Sequence, residues 1–159
     1  MRKEGLRQSI RVRDDYRCSY CGVSETDAGS ELTIDHIQPQ LQGGDDNPDN
    51  LVYCCHPCNE FKANYWRTEP DLRLLNPLLD NMTDHFREQD DGSLLALTDG
   101  GANHLRVLHL NRPELIAHRV RRRFYFAREA GYQTVEARMD AIEQTLQDVL
   151  RQINKEFGL

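Results

Sequence analysis

Two cysteine pairs constrain this chain more than any other feature of its sequence: Cys18-x-x-Cys21 and Cys55-x-x-Cys58. Each pair holds two thiols close together beside turn residues, and two such pairs complete the tetrahedral shell of a structural zinc. Because all four positions would be thiolates, none would stay open for a catalytic water. We therefore expect a structural zinc, and the alternative is four buried cysteines that bind no metal. Cys54, the fifth cysteine, is expected to be a small buried strand residue.

The overall charge of the chain argues against binding nucleic acid by bulk attraction. The 159 residues carry a formal net charge of -6, and 38% of them are hydrophobic and 29% charged. This length fits one domain with a helical appendage, and the modest core would benefit from a metal staple. Arginines and lysines are clustered in residues 1–17 and arginines again in residues 111–130, so two basic patches lie on an acidic protein.

The distribution of apolar residues gives an expectation about location. No apolar run approaches the roughly 18–20 residues needed to span a bilayer, and the first residues lack the apolar stretch of a secretory signal. We therefore expect a cytoplasmic protein without a membrane partner. Disulfides are rare in that reducing compartment, so the cysteines are expected to bind metal instead.

The spacing of apolar and turn residues predicts a strand, a loop, a strand and a helix between and around the cysteine pairs. A short helix is predicted before them, with Leu6, Ile10 and Val12 facing inward. In chain order, the predicted segments are a helix over 4–16, a strand over 31–36, a loop over 42–49, a strand over 51–54 and a helix over 57–66.

The second half of the chain is predicted to be mainly helical. One helix follows Gly100-Gly101 and runs through Leu105, Leu108 and Leu110, and another is capped by Asn111 and ends at Gly131. A last helix, capped by Thr134, carries an apolar stripe that is most simply core-facing: Val135, Met139, Ile142, Leu146, Val149 and Ile153. The same spacing also permits a seam with a second copy or with a protein partner.

A group of polar residues lies between the cysteine pairs and just after them. Asp35-His36 ends the first predicted strand, a Gly-Gly loop follows, Asn50 precedes the second strand, and Cys55-x-x-Cys58 continues as Asn59-x-x-Lys62. This combination, from about Arg11 to Lys62, resembles the HNH nuclease superfamily in its cysteine-containing branch. Segments after residue 70 are similar to those of many short bacterial HNH proteins.

The resemblance implies an α+β fold with a ββα-metal centre and a mainly helical C-terminal portion. We expect an HNH nuclease core over residues 1–66 and a helical extension over residues 67–159, packed on the core. The implied activity is metal-dependent endonuclease cleavage of nucleic acid, with DNA favoured over RNA because most members of the family cut DNA.

Phosphodiester hydrolysis needs an activated water and neutralisation of the phosphate charge. His36 can take a proton from water near neutral pH, and Asp35, on the opposite side of an extended strand, can hold a hard cation. The resemblance assigns the second metal ligand to Asn59 and the orientation of His36 to Asn50. Oxygen ligands favour Mg²⁺ or Mn²⁺. Lys62, one helical turn from Asn59, is expected to face the same phosphate.

The arginine cluster of residues 119–123 is a second candidate contact to nucleic acid, through Arg119, Arg122 and Arg123. A solvated helix face explains these arginines nearly as well. Two other functions stay open at this point. One is a catalytically silent zinc-knuckle module that only binds nucleic acid, and the other is a nuclease subunit of a multi-protein complex of the antiphage type.

Overall fold

A computed structural model of the chain describes residues 2–157, and the side chains of residues 4–147 and 151 within that range. The fold is α+β, as predicted. In chain order the elements are α1 Arg2–Arg13, α2 Glu25–Ala28, β1 Thr33–His36, β2 Leu51–Cys54, α3 His56–Lys62, α4 Met82–His85, β3 Phe86–Glu88, β4 Leu94–Ala96, α5 Asp99–Val107 and α6 Pro113–Phe157.

The strands β1 and β2 form an antiparallel pair that carries the predicted polar residues. Its register pairs Asp35 with Val52 and His36 with Leu51. Successive side chains of a strand point to opposite faces, so Asp35 is buried while His36 on the other face is only half-buried. Both strands were predicted, although β1 begins at Thr33 rather than at residue 31. Every residue of β2 is buried, which makes this strand the centre of the core.

The first helix packs against β2 through one face. Ile10 is 1% exposed, whereas Val12 is 53% exposed, so the prediction that Val12 faces inward is wrong. The two residues are two positions apart, which places them on different faces of a helix. Arg13 and Asp14 then bind the strand: Arg13 Nη2 donates to Leu51 O at 2.7 Å, and Tyr53 N donates to the Asp14 carboxylate at 2.7 Å.

The hydrophobic core draws on residues from both halves of the chain. Leu108, Leu110 and Leu115 are buried in the same cluster as Ile10 and Val52. Residues Met1–Arg119 form one compact unit, and Val120–Leu159 form another. The division into a nuclease core over 1–66 and an extension over 67–159 stays a prediction.

The segment from 82 to 111 contains a hairpin that was not predicted, in which β3 pairs with β4. The next helix, α5, starts at a Thr98 cap and ends at Val107, before the predicted Leu108 and Leu110. Asn111 does not cap α6 with its side chain as predicted. Its amide instead exchanges hydrogen bonds of 2.7 and 2.8 Å with the backbone of Leu94, which ties β4 to the start of α6.

The C-terminal helix is continuous, so the predicted break at Gly131 and cap at Thr134 are wrong. Gly131 is exposed, and the Thr134 hydroxyl donates to Ala130 O inside the helix at 2.8 Å. The stripe is not core-facing either, because four of its members are 57–63% exposed: Val135, Met139, Ile142 and Leu146. The side chains of Val149 and Ile153 lie outside the described residues. Among the described helices, none is long and apolar enough to cross a membrane.

Candidate functional site

The four predicted cysteines converge into one cluster. The Sγ atoms of Cys18, Cys21, Cys55 and Cys58 all lie within 4.8 Å of one another. A tetrahedral zinc with Zn–S bonds of about 2.3 Å requires S···S separations of about 3.8 Å. The Cys21 and Cys55 sulfurs are 3.6 Å apart, so the donor set fits that ion.

A tight turn holds the first pair of thiols, and the start of α3 holds the second pair. Gly22 after the first pair has a positive φ of 76°, as its place in a tight turn predicts, and Cys55 is the residue that precedes α3. Cys54 is buried beside the cluster without belonging to it, and hydrogen bonding with Cys18 together with burial raises the pKa of its thiol. The prediction for Cys54 is therefore confirmed.

Arg112, the residue just before α6, contacts the cysteine cluster. The guanidinium of Arg112 lies 3.8 and 3.9 Å from Cys58 Sγ and also stacks over the Phe61 ring at 5.5 Å. A cation beside a thiolate sulfur stabilises its negative charge. Sequence reasoning did not assign this contact, because 54 residues separate Arg112 from Cys58.

A cleft of about 370 Å³ brings three predicted site residues together. Asp35 and His36 come from the end of β1, and Asn59 comes from α3, which follows β2 directly. The remaining lining residues are Pro39, Gln40, Leu41, Glu60, Ala63 and Asn64. The order strand, strand, helix therefore places a carboxylate, an imidazole and an amide around one cavity.

Asp35 lies at the buried side of this cleft with two donors on its carboxylate. Tyr20 OH donates to Oδ2 at 3.0 Å, and Lys62 Nζ lies 3.3 Å from Oδ1 and 3.1 Å from Oδ2. Burial raises the pKa of Asp35, while Lys62 and Tyr20 act in the opposite direction. Oδ2 faces both donors, whereas Oδ1 faces Lys62 alone, so a lone-pair site remains on Oδ1 for a cation.

The imidazole of His36 is held by an acidic residue that sequence reasoning missed. His36 Nε2 lies 2.8 Å from Asp46 Oδ1, and Gln40 Nε2 donates to the same oxygen at 2.9 Å. Asp46 belongs to the loop between β1 and β2, in an Asp45-Asp46 pair that offers no local signal to distinguish one residue from the other.

Asn50 organises the loop that carries Asp46. Its side chain accepts from Gln38 N at 2.8 Å and donates to Gln38 O at 3.1 Å and to Asp45 O at 2.9 Å. The Gly-Gly motif has a steric reason here, since a Cβ at Gly44 would lie 1.8 Å from Gln38 O. Through these hydrogen bonds, Asn50 holds the backbone two residues after His36 and the loop that follows.

Lys62 does not face the solvent side of the cleft as predicted. The side chain is 1% exposed, and its ammonium donates to His36 O at 2.6 Å as well as to Asp35. Lys62 follows Asn59 by one turn of α3, but its ammonium binds the end of β1 and does not line the cleft. Lys62 therefore fixes the Asp35-His36 dipeptide and balances the buried carboxylate.

Arg119 is also placed differently from its prediction as a nucleic-acid contact. It is 4% exposed and donates to Gly92 O at 3.0 Å and to Leu110 O at 2.6 Å, so its guanidinium stabilises the fold. Arg122 and Arg123 are half-buried on α6, and their contact with nucleic acid stays a prediction.

Comparisons with known proteins identify the segment that contains this site. Residues 18–64 match the family model described as HNH endonuclease. A segment of 58 residues, 36% of this chain, is 43% identical to part of the CRISPR-associated endonuclease Cas9 of Corynebacterium diphtheriae. The similarity covers 5% of that relative's length. No solved structure matches the chain.

Proposed function

We propose that this protein is a metal-dependent endonuclease that hydrolyses phosphodiester bonds in DNA, because residues 18–64 match the HNH endonuclease family model. One observation carries the proposal. His36, Asp35 and Asn59 line a single cleft, and the imidazole is oriented there by a carboxylate.

His36 is the general base of the proposed reaction. The Asp46 carboxylate can only accept a hydrogen bond, so the Nε2 atom of His36 must donate it. A neutral imidazole that is protonated at Nε2 has its lone pair at Nδ1, which can accept a proton from the attacking water. Asp46 therefore selects the reactive tautomer and holds the ring in place, as a positioning residue.

Asp35 and Asn59 are the residues that would hold the catalytic cation. Their donors are one carboxylate and one amide, both oxygen ligands, and both line the cleft that contains His36. This donor set suits Mg²⁺ or Mn²⁺, which keep further positions for water and phosphate oxygens. When bound, such an ion supplies charge neutralisation at the phosphate. Lys62 keeps the Asp35 carboxylate oriented from the buried side.

The cysteine cluster is proposed to hold a zinc ion with a structural role. All of its four donors are thiolates, so no position is left for water or substrate. The cluster joins the turn before α2 to the start of α3, and Arg112 joins α6 to it. The zinc therefore supports the helix that carries Asn59 rather than acting on the phosphate.

DNA is the proposed substrate because the matched relative is named an endonuclease of the CRISPR system and most members of the resembling family cut DNA. Asp35, His36 and Asn59 all line one cleft, which counts against a module that only binds nucleic acid. A role as a subunit of a larger antiphage-type complex is compatible with the same chemistry.

The test is a side-by-side digestion of supercoiled plasmid, linear duplex, single-stranded DNA and RNA by the full chain with Mg²⁺ or Mn²⁺. His36→Ala should lower the cleavage rate by roughly 10²–10⁴-fold, the usual effect of removing a general base. His56→Ala is the matched control, because His56 lies in the same domain with an 80% exposed side chain. Equal rates for the two variants would contradict the assignment. Binding of DNA by the wild type without cleavage of any substrate would favour the silent binding module.

A further inference from the structure

A long apolar stripe on α6 lies exposed to solvent. Tyr132, Val135, Met139, Ile142 and Leu146 are 54–63% exposed, although they share one face of the helix. Their spacing alternates between three and four residues, which is the repeat of a coiled-coil seam. We call these five residues the α6 stripe.

The length of the repeat is sufficient for a two-stranded coiled coil. In the sequence, Val149 and Ile153 continue the same alternation beyond Leu146, so apolar residues occupy the seam positions over about three heptads. The opposite face of this segment carries small and polar side chains, such as Ala137 and Gln144. A single-sided apolar face of this length buries its surface by pairing with another helix.

The charges beside the stripe indicate which helix pairs with it and in which direction. Glu129, Glu136 and Glu143 are exposed along one edge of the stripe, and Arg138 is exposed along the other edge. In an antiparallel pair of two copies, each glutamate edge would face the same edge of the other copy and repel it. In a parallel pair, Arg138 faces Glu143 of the second copy, and symmetry creates this contact twice.

We propose that α6 pairs with α6 of a second copy of this chain as a parallel, in-register coiled coil through the α6 stripe. The apolar repeat supplies the buried seam, and the two edges supply complementary charge only in the parallel orientation. This inference is independent of the proposed nuclease function, because it uses no residue of the catalytic cleft.

Sedimentation velocity on the full zinc-loaded chain tests the proposal. The wild type should sediment as a dimer at about 10–100 μM, and Ile142→Asp should sediment as a monomer because it places a charge in the seam. Ala137→Asp is the matched control, since it adds the same charge to the opposite face and should stay dimeric. Zinc content and helical circular dichroism verify that each variant is folded. A monomeric wild type, or a dimer that survives Ile142→Asp, would overturn the proposal.

Charge reversal tests the orientation. Arg138→Glu and Glu143→Arg should each raise the dimer Kd by about tenfold, because each change creates two like-charge contacts across a parallel seam. The double variant Arg138→Glu/Glu143→Arg restores both contacts and should return the Kd to near the wild-type value. Tighter dimerisation of Glu143→Arg would instead indicate antiparallel pairing. An unchanged Kd in both single variants would contradict the proposed contact between Arg138 and Glu143 of the second copy.

Discussion

The imidazole of His36 is oriented by Asp46, a residue ten positions further along the chain, at a distance of 2.8 Å. The contact depends on a loop that returns to the end of β1, and Asn50 holds this loop by three hydrogen bonds. Three residues therefore act in sequence, an arrangement that we call the relay: Asn50 holds the loop that carries Asp46, and Asp46 orients the ring of His36.

Asp46→Ala tests that relay. Without the carboxylate, the ring loses its orienting partner and its preferred tautomer, so we expect kcat to fall roughly 10- to 100-fold with little change in KM. Asp46→Asn should be intermediate, since an amide oxygen can still accept from Nε2. Asp45→Asn is the control, because the neighbouring Asp45 carboxylate accepts from Asn47 N within the loop, whereas Asp46 accepts from His36. Steady-state kinetics with the three variants would refute the relay if Asp45→Asn were as impaired as Asp46→Ala.

The residue types of the site were predictable from the sequence, but their contacts were not. Asp35, His36 and Asn59 stand in a short segment whose strand and helix spacing places them on one cleft. The contact of Asp46 with the His36 ring was not predicted, because it depends on the conformation of the loop and not on a periodic sequence pattern. Lys62 was predicted to contact phosphate from its spacing to Asn59, and Arg119 from its place in an arginine cluster. Here each side chain instead donates to a backbone oxygen and is buried.

The loop between β1 and β2 is the element that assembles the site, and Gly44 allows it to close. A Cβ at this position would lie 1.8 Å from Gln38 O and 2.9 Å from Asn50 Nδ2. Gly44→Ala should therefore displace the loop, lower stability by about 1–3 kcal/mol and reduce cleavage. Gly131→Ala is the matched control. A Cβ added at this position inside α6 would meet no atom of another part of the protein within 4 Å, and alanine should stabilise the helix by up to about 1 kcal/mol.

Denaturant unfolding and plasmid cleavage of both glycine variants give the test. Equal stability and activity in Gly44→Ala and the wild type would show that the close approach at Gly44 is unimportant.

The strands β1 and β2 and the helices α1 and α3 followed from local pattern, and so did the presence of helices at α5 and α6. The helix α2, the β3–β4 hairpin and the continuity of α6 did not. The alternation around Ile34 and the apolar run of β2 predicted both strands of the central hairpin. The break expected at Gly131 fails because one exposed glycine costs a helix only about 1 kcal/mol, which the flanking helix formers outweigh. The β3–β4 hairpin has three-residue strands, too short for a periodic signal.

The helix α5 carries a buried histidine that gives the fold a pH dependence. His104 is 1% exposed, and its Nδ1 accepts a hydrogen bond from Leu75 N at 3.0 Å, so the folded protein requires the neutral ring. Burial lowers the pKa of His104 from 6.5 to about 4. A pKa that is lower in the folded state contributes stability above pH 6.5, and this contribution is lost as the pH falls from 6.5 toward 4.

His104→Asn isolates that contribution, because an amide oxygen can accept from Leu75 N without titrating. We expect the wild type to be more stable than this variant at pH 7.5 and the difference to shrink by about 2 kcal/mol at pH 5. Urea unfolding of both proteins at the two pH values measures it, and acid effects on the cysteine cluster cancel in the comparison. A difference that is the same at both pH values would contradict the assignment to His104.

At the level of the whole molecule, the chain contains a cysteine cluster and a polar cleft in one unit and an exposed apolar helix face in the other. Residues 1–119 contain the cysteine cluster and the cleft, and the α6 stripe lies in residues 120–159. Because the two features share no residues, the proposed dimerisation and the proposed cleavage should be separable by mutation. With a net charge of -6, the proposed binding of DNA would have to depend on local positive groups.

In the proposed mechanism, a cation held by Asp35 and Asn59 supports hydrolysis, and a separate zinc at the cysteine cluster stabilises the fold. We would treat the purified chain with EDTA, remove the chelator, verify by elemental analysis that about one zinc per chain remains, and measure nicking of supercoiled plasmid with added metals. We expect no cleavage without added metal, cleavage with Mg²⁺ or Mn²⁺, and none by Asp35→Ala under either condition. Full-rate cleavage when zinc is the only divalent ion present would contradict this mechanism.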